Sequence, residues 1–223
     1  MPLLYCIPGM GTDKRIFSEL LPHLNWQGEI QILEHLPVLH ANETLAEYAL
    51  RLRATLPETW EEPPFLLGMS MGGMIANELT KHIPYQKLLL VSTIKQKSEV
   101  PMYFRALNRI PIHKILPSGV PTGLKRKFAG WFGLKLGANL DLVLQMMEDI
   151  GKAHLEWGRN AAISWAAPEQ APARTFHIHG DKDHLFPPRL VKPDHWIRGG
   201  THNLILDEAP ALAEILNKYI ATP

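Results

Sequence analysis

Three short segments carry side chains that together could perform nucleophilic chemistry at a carbonyl carbon. The first is Gly68-Met69-Ser70-Met71-Gly72, which follows the apolar run Phe65-Leu66-Leu67 and precedes Met71, Met74, Ile75, Leu79 and Ile83 at helical spacing. A serine between a strand and a helix, flanked by glycines, fits a tight elbow that lifts the hydroxyl to the C-terminal edge of a sheet. A serine hydroxyl is a poor nucleophile until a base takes its proton and an acid orients that base. Two later loops offer such groups. His179-Gly180-Asp181-Lys182-Asp183 follows a strand expected over 174–179, and Gly199-Gly200-Thr201-His202 follows one expected over 194–198. Asp183 and His202 are then delivered to the same sheet edge as Ser70, in the chain order Ser, Asp, His that this geometry uses. An oxyanion intermediate also needs backbone donors. Met71, next after the serine, offers one, and the loop Pro8-Gly9-Met10-Gly11 is the place for a second.

The elements that must position these groups alternate along the chain. Leu3 to Ile7 is an apolar run stopped by Pro8-Gly9, and Glu29 to Leu33 reads as a second strand. Between them, Thr12 can cap a helix with Ile16, Phe17, Leu20, Leu21 and Leu24 inward. A helix over 42–56 carries Thr44 and Glu47 at capping-box spacing. Lys87 to Ser92 is nearly continuous in Leu and Val, as a strand covered on both faces should be. Leu212, Ile215, Leu216, Tyr219 and Ile220 mark a last helix starting near Asp207. Strands alternating with helices of this length imply right-handed crossovers and a mostly parallel α/β sheet. Between Thr93 and Ala173 the alternation stops: Pro101, Pro111, Pro117 and Pro121 cut short pieces, and Asn139 to Trp157 reads as one longer helix. The expected organisation is a core of residues 1–93 and 174–223 with a helical cap inserted at 94–173.

Composition bounds the partners. The chain has 223 residues, 46% apolar and 20% charged, which suits one folded domain with a large core. With 23 basic and 22 acidic residues, nothing in the global charge points to nucleic acid. Cys6 is the only cysteine, so an intrachain disulfide or a cysteine zinc site is excluded. The opening MPLLYCIPGMG lacks a basic n-region, and no later window holds 18 uninterrupted apolar residues. A cytoplasmic protein that neither enters nor spans a membrane is expected.

Taken together, the elbow, the HGxxD loop and the late histidine after Gly-Gly resemble the α/β-hydrolase superfamily over nearly the whole chain outside the insertion. The resemblance implies a minimal α/β-hydrolase fold: a mostly parallel sheet of about six strands, flanked by helices and roofed by a helical cap. It implies Ser70 as nucleophile, His202 as general base and then acid, and Asp183 as the carboxylate that orients His202. Asp181 competes with Asp183, which matches the HGxxD spacing. The family's second oxyanion donor maps to Met10, although Pro8 stands where the family often has histidine. The chain starts at the family's third strand, and only 19 positions separate Asp183 from His202, so any helix between them is short or absent. An activity of carboxylesterase or thioesterase type on a small or medium apolar substrate is expected, with no cofactor and no metal. The same triad could instead cleave C–C bonds, exchange acyl groups or form peracids. A non-catalytic binding protein has no need of all three side chains, and an Asp-nucleophile enzyme is disfavoured by Ser70.

Other patterns carry less. Gly9-x-Gly11 is not a dinucleotide fingerprint, because Lys14 occupies the third glycine position. His177, His179, Asp181, Asp183 and His184 resemble a metal cluster, but with the wrong internal spacing for the HxHxDH run. His177 and His179 alternate on one strand face, where hydrogen-bonded packing is the simpler reading. From Lys95 to Lys135 nine basic residues face Glu99 alone, an excess of eight that could receive an acidic carrier or anionic substrate, or be a solvated face. Met102, Tyr103, Phe104, Trp131, Phe132, Met146, Met147, Trp157 and Trp165 lie in the insertion, where they either line a pocket or pack the cap. Met10, Met69, Met71 and Met74 crowd Ser70 in sequence, and thioether walls favour an apolar acyl group.

Overall fold

The computed structural model describes residues 1–107 and 137–222. Among these, six strands form one parallel sheet: β1 (Leu3–Ile7), β2 (Glu29–Ile32), β3 (Phe65–Met69), β4 (Leu88–Val91), β5 (Thr175–Gly180) and β6 (His195–Ile197). Their spatial order is β2-β1-β3-β4-β5-β6. Every pairing is parallel, with Leu4 opposite Phe65, Leu66 opposite Leu88, Leu89 opposite Phe176 and His179 opposite Trp196. The period-2 alternation of each strand divides its side chains between two cores. Tyr5, Ile7, Leu66, Leu88 and Leu90 meet α1 (Leu45–Arg53) and α2 (Met71–Leu79) on one face. Leu4, Cys6, Leu67, Met69, Leu89 and Val91 meet α7 (Ala209–Ala221) on the other, through Leu212, Ala213 and Leu216. Two-sided burial is why β1, β3 and β4 are continuous apolar runs, while the edge strand β2 alternates Glu29, Ile30, Gln31, Ile32. The Thr44–Glu47 capping box is formed at the start of α1.

Three local expectations change. The stretch after β1 is not a Thr12-capped α-helix but two 3₁₀ turns, Lys14–Phe17 and Leu21–His23. Asp13 caps the first by accepting from the Arg15 N–H at 2.9 Å, and the Thr12 hydroxyl is spent on Gly9 O at 3.0 Å. Ile16, Phe17 and Leu20 are nevertheless buried as their spacing implies. The expected single helix over 139–157 is broken at Gly151, whose φ of +85° ends α4 (Ala138–Ile150) and starts α5 (Lys152–Ile163). The last helix is preceded by a short α6 (Leu204–Asp207).

Between β4 and β5 the described residues form helices only: a 3₁₀ turn (Lys97–Glu99), α3 (Met102–Leu107), α4 and α5. Polar contacts tie them to the core. Trp157 Nε1 donates to Glu43 O at 2.8 Å, Trp165 Nε1 to Glu78 Oε1 at 2.8 Å, and Asn139 to Asp207 at 2.9 Å. Arg109, Lys114, Lys125, Arg126, Lys127, Trp131, Phe132 and Lys135, and Pro111, Pro117 and Pro121, lie outside the described residues. Of the other basic residues in that run, Lys95 donates to Lys192 O and Lys97 pairs with Glu169. No helix among the described residues is long and apolar enough to cross a membrane.

Candidate active site

Ser70 sits between β3 and α2 with φ 53° and ψ −124°, outside the conformations a serine readily adopts. The turn is held from three sides. Ser70 N donates to Val91 O on β4 at 3.0 Å, and the Ser70 carbonyl accepts from Gly73 N at 2.9 Å and Thr93 Oγ1 at 2.6 Å. Glycine is required beside it because a Cβ on Gly68 would stand 2.5 Å from Gly72 O, and one on Gly72 would collide with the carbonyls of Ile7 and Pro8.

The loops after β5 and β6 are joined at their bases. Lys182 N donates to Gly200 O at 2.8 Å and Asp181 N to Ile197 O at 3.2 Å. Asp181 is used in this joint, its Oδ1 accepting from Gly199 N at 2.7 Å, and so is turned away from the histidine. Asp183 faces it instead. His202 Nδ1 lies 2.8 Å from Asp183 Oδ2, and His202 Nε2 lies 3.0 Å from Ser70 Oγ. The carboxylate only accepts, so Nδ1 carries the ring proton and Nε2 presents a lone pair to the serine hydroxyl. Asp183 is fully buried. Its Oδ1 takes the N–H groups of Leu185 and Phe186 at 2.8 and 2.9 Å. Burial alone would push its pKa up, but His202 beside it and the hydrogen bonds from His179 and His202 hold it far below the usual carboxylate range.

Met71 is the first residue of α2, so its N–H is one of the donors at a helix start that have no intrahelical acceptor. Met10 follows Gly9, whose Cα approaches the elbow so closely that a Cβ would lie 3.3 Å from Ser70 Cβ. The Gly9 carbonyl accepts three hydrogen bonds, from Thr12 N at 3.2 Å, Thr12 Oγ1 at 3.0 Å and His35 Nε2 at 3.0 Å. In a planar trans peptide the next N–H points opposite to the carbonyl. Pinning Gly9 O on one side therefore fixes the Met10 N–H on the other. The side chains of both methionines run to α5, where a Cβ on Gly158 would meet Met10 Cγ at 2.9 Å and Met71 Sδ at 3.2 Å. Met147 and Leu155 close over Gly11 in the same way.

Two sets of histidines escaped or were undervalued in the sequence. His177 and His179 share a strand face, as their spacing indicates, but His179 Nε2 also reaches Asp183 Oδ2 at 3.2 Å. The tandem His-x-His-Gly ahead of the acid loop was the available signal. His35, on the loop after β2, has none: its ring packs against that of His154 of α5, tilted by 51° with centroids 4.4 Å apart.

No protein-family model matches the chain, and no curated protein matches it. Solved structures do. A hydrolase from Pseudomonas aeruginosa PA01 superposes with a TM-score of 0.71 at 17% identity, covering 99% of this chain and 90% of that one. A lipase-esterase related protein from Clostridium acetobutylicum gives 0.68 at 17% identity, covering 98% and 94%. Epoxide hydrolases of the alpha/beta hydrolases superfamily, from metagenomes of hot environments, give 0.65 at 16%, covering 100% and 91%. This is the α/β-hydrolase fold. Within that fold, Ser70, Asp183 and His202 stand on the loops after β3, β5 and β6, at the carboxyl ends of the strands, where open α/β sheets bind ligands.

Proposed function

We propose that this α/β-hydrolase-fold chain is a serine hydrolase that cleaves a carboxylic ester or thioester with a small or medium apolar acyl group. One observation carries the reading: the buried relay in which Ser70 Oγ lies 3.0 Å from His202 Nε2 and His202 Nδ1 lies 2.8 Å from Asp183 Oδ2. A binding protein gains nothing from burying a carboxylate behind an imidazole aimed at a strained serine. The hydrolase, lipase and esterase names of structures with this fold agree with it.

In this mechanism Ser70 Oγ attacks the carbonyl carbon as His202 Nε2 takes its proton. The tetrahedral oxyanion is held by the N–H groups of Met71 and Met10. His202 then returns the proton to the leaving alkoxide or thiolate, and the acyl group stays on Ser70. Water attacks that acyl-enzyme, giving a proton to His202, and the carboxylic acid leaves as Ser70 regains its hydrogen. Asp183 remains ionised throughout and stabilises the imidazolium, as its depressed pKa allows. The apolar preference follows from Met10, Met71, Met147 and Leu155, which converge around the two glycines of the roof and the loop.

Labelling with a fluorophosphonate probe, comparing wild type with Ser70→Ala, tests the reading directly. Labelling is expected in wild type and absent in the variant. A panel of p-nitrophenyl esters of rising chain length then sizes the acyl pocket. Folded wild-type protein that neither labels nor cleaves any ester would overturn the proposal, and labelling that survives in Ser70→Ala would reassign the nucleophile.

A further inference from the structure

The acid of the triad has a second imidazole on it. His177 and His179 are both fully buried in β5, with neighbouring positions on one face of the strand. His179 Nε2 lies 3.0 Å from Phe186 O and 3.2 Å from Asp183 Oδ2, the same oxygen that His202 Nδ1 approaches. Both neighbours are acceptors, so Nε2 must carry the proton. The opposite ring nitrogen, His179 Nδ1, lies 3.2 Å from His177 Nε2. A neutral His179 has a lone pair there, and His177 must supply the hydrogen. Burial, followed by the neighbouring His179 and Lys95, pushes the His177 pKa well down, so His177 stays neutral and keeps that donor role. The five side chains thus form one ordered sequence of hydrogen bonds: His177 to His179, His179 to Asp183, His202 to Asp183, and Ser70 to His202.

Resting on the serine-hydrolase reading above, we infer that His179, its tautomer set by His177, is a positioning residue for the catalytic acid: it fixes the Asp183 carboxylate and draws charge from the oxygen that faces His202. Two consequences follow from the geometry. Oδ2 shares its charge between two N–H donors, so His202 feels a weaker anion than it would beside an undivided carboxylate. The carboxylate is also gripped at both oxygens, by Leu185 and Phe186 at Oδ1 and by the two histidines at Oδ2, which leaves it no rotation. Among the described residues, other charged or titratable groups also stand near this array, His184 next to Asp183 in the chain and Arg189 near Tyr103 included. Asp194 accepts from the backbone N–H of His177 at 2.8 Å, Lys95 lies 3.8 Å from Asp194, and Tyr103 of α3 donates to Leu185 O with Asp183 acting on it.

The test compares wild type with His179→Leu, His179→Gln and His177→Leu, following kcat and KM for a p-nitrophenyl ester across pH. In His179→Leu the undivided carboxylate holds the His202 proton more tightly. The acid limb of kcat/KM should then move to higher pH by about half a unit to one unit. The plateau kcat should fall about 3- to 10-fold with KM within twofold, as loss of a transition-state effect requires. His179→Gln retains an N–H donor and should bring the limb back. His177→Leu leaves His179 free to take its other tautomer and should show part of the same shift. Should His179→Leu not fold, the other two variants carry the comparison. An acid limb that stays in place in every folded variant overturns the inference, even with lowered kcat, because a packing defect alone does not move it. The downfield proton resonance of the His202–Asp183 hydrogen bond, followed by NMR across pH, gives the same answer without substrate. Failure of that resonance to shift counts against His179 alone, whereas an unlabelled, inert wild type counts against the hydrolase reading.

Discussion

Replacing Ser70 with glycine should make the protein more stable than replacing it with alanine, while both changes abolish activity. Both variants lose Oγ and its hydrogen bond to His202, so their difference isolates the backbone. At φ 53° and ψ −124° a residue with a Cβ pays strain of about 1–3 kcal/mol, and glycine pays almost none. Glycine loses about 0.5–1 kcal/mol more backbone entropy on folding than alanine does. Taking about 2 kcal/mol for the strain and about 1 for the entropy leaves about 1 kcal/mol in glycine's favour. For a chain of 223 residues that corresponds to about 2–4 °C in Tm. The measurement is thermal unfolding by circular dichroism, paired with urea midpoints at constant m-value, on Ser70→Gly and Ser70→Ala side by side. A glycine variant no more stable than the alanine variant would refute the reasoning: the elbow would then be comfortable for a serine, and its conformation would need no functional reason. A gain confined to glycine would mean that the fold tolerates a strained turn solely to hold one hydroxyl at the sheet edge.

Gly72→Ala should cost more than about 3 kcal/mol or prevent folding, since its Cβ would meet the carbonyl of Ile7, the last residue of β1, and that of Pro8 just after it, and backbone tied to the central sheet cannot move aside; a melting temperature near that of wild type would contradict this. Acid should destabilise the protein through His154. Burial, then the neighbouring His35, lowers its pKa from the ordinary 6.5 to about 4, so the unfolded ring binds a proton where the folded one does not. Stability from this group is whole above pH 6.5 and is lost as pH falls from there towards 4. After allowance for solvent screening it amounts to about 1–2 kcal/mol. His154→Leu should flatten the urea-midpoint profile over that window, and an unchanged slope would exclude His154 as its source.

The strands were readable because each needs nothing but its own side chains to declare itself: the runs at β1, β3 and β4 are apolar at every position since helices cover both sheet faces. The capping box at Thr44 and Glu47 is likewise a contract between residues three apart, and it forms as written. Sequence and structure part where a residue's local option loses to another partner. Thr12 has the chemistry of a helix cap, but its hydroxyl is drawn back to Gly9 O, and Asp13 takes over the cap. Gly151 lies within a helical spacing that continues on both sides of it, and only its positive φ shows the break. Spacing favours Asp183 over Asp181, and Asp183 is the carboxylate that faces His202, but the physical cause is not local. Asp181 is occupied by the Gly199 N–H, which no local pattern reveals.

The same division explains why the chemistry of the site is easier to read than its substrate. Ser70, Asp183 and His202 each follow a strand within a few residues, so short motifs suffice to bring them to one edge. The apolar side chains near Ser70 come from its chain neighbour Met71 and from two remote segments, Met10 after β1 and α5 between β4 and β5, where the absent side chain of Gly158 makes room for both methionines. The residues proposed to bind the oxyanion therefore also carry the side chains that pack against α5. On the proposed function, a shift of α5 to admit a larger acyl group must work against the same two residues that are proposed to hold the oxyanion. In such an arrangement substrate size should be expressed in kcat as well as in KM, because the fit of the acyl group and the aim of the oxyanion donors are set by one contact surface.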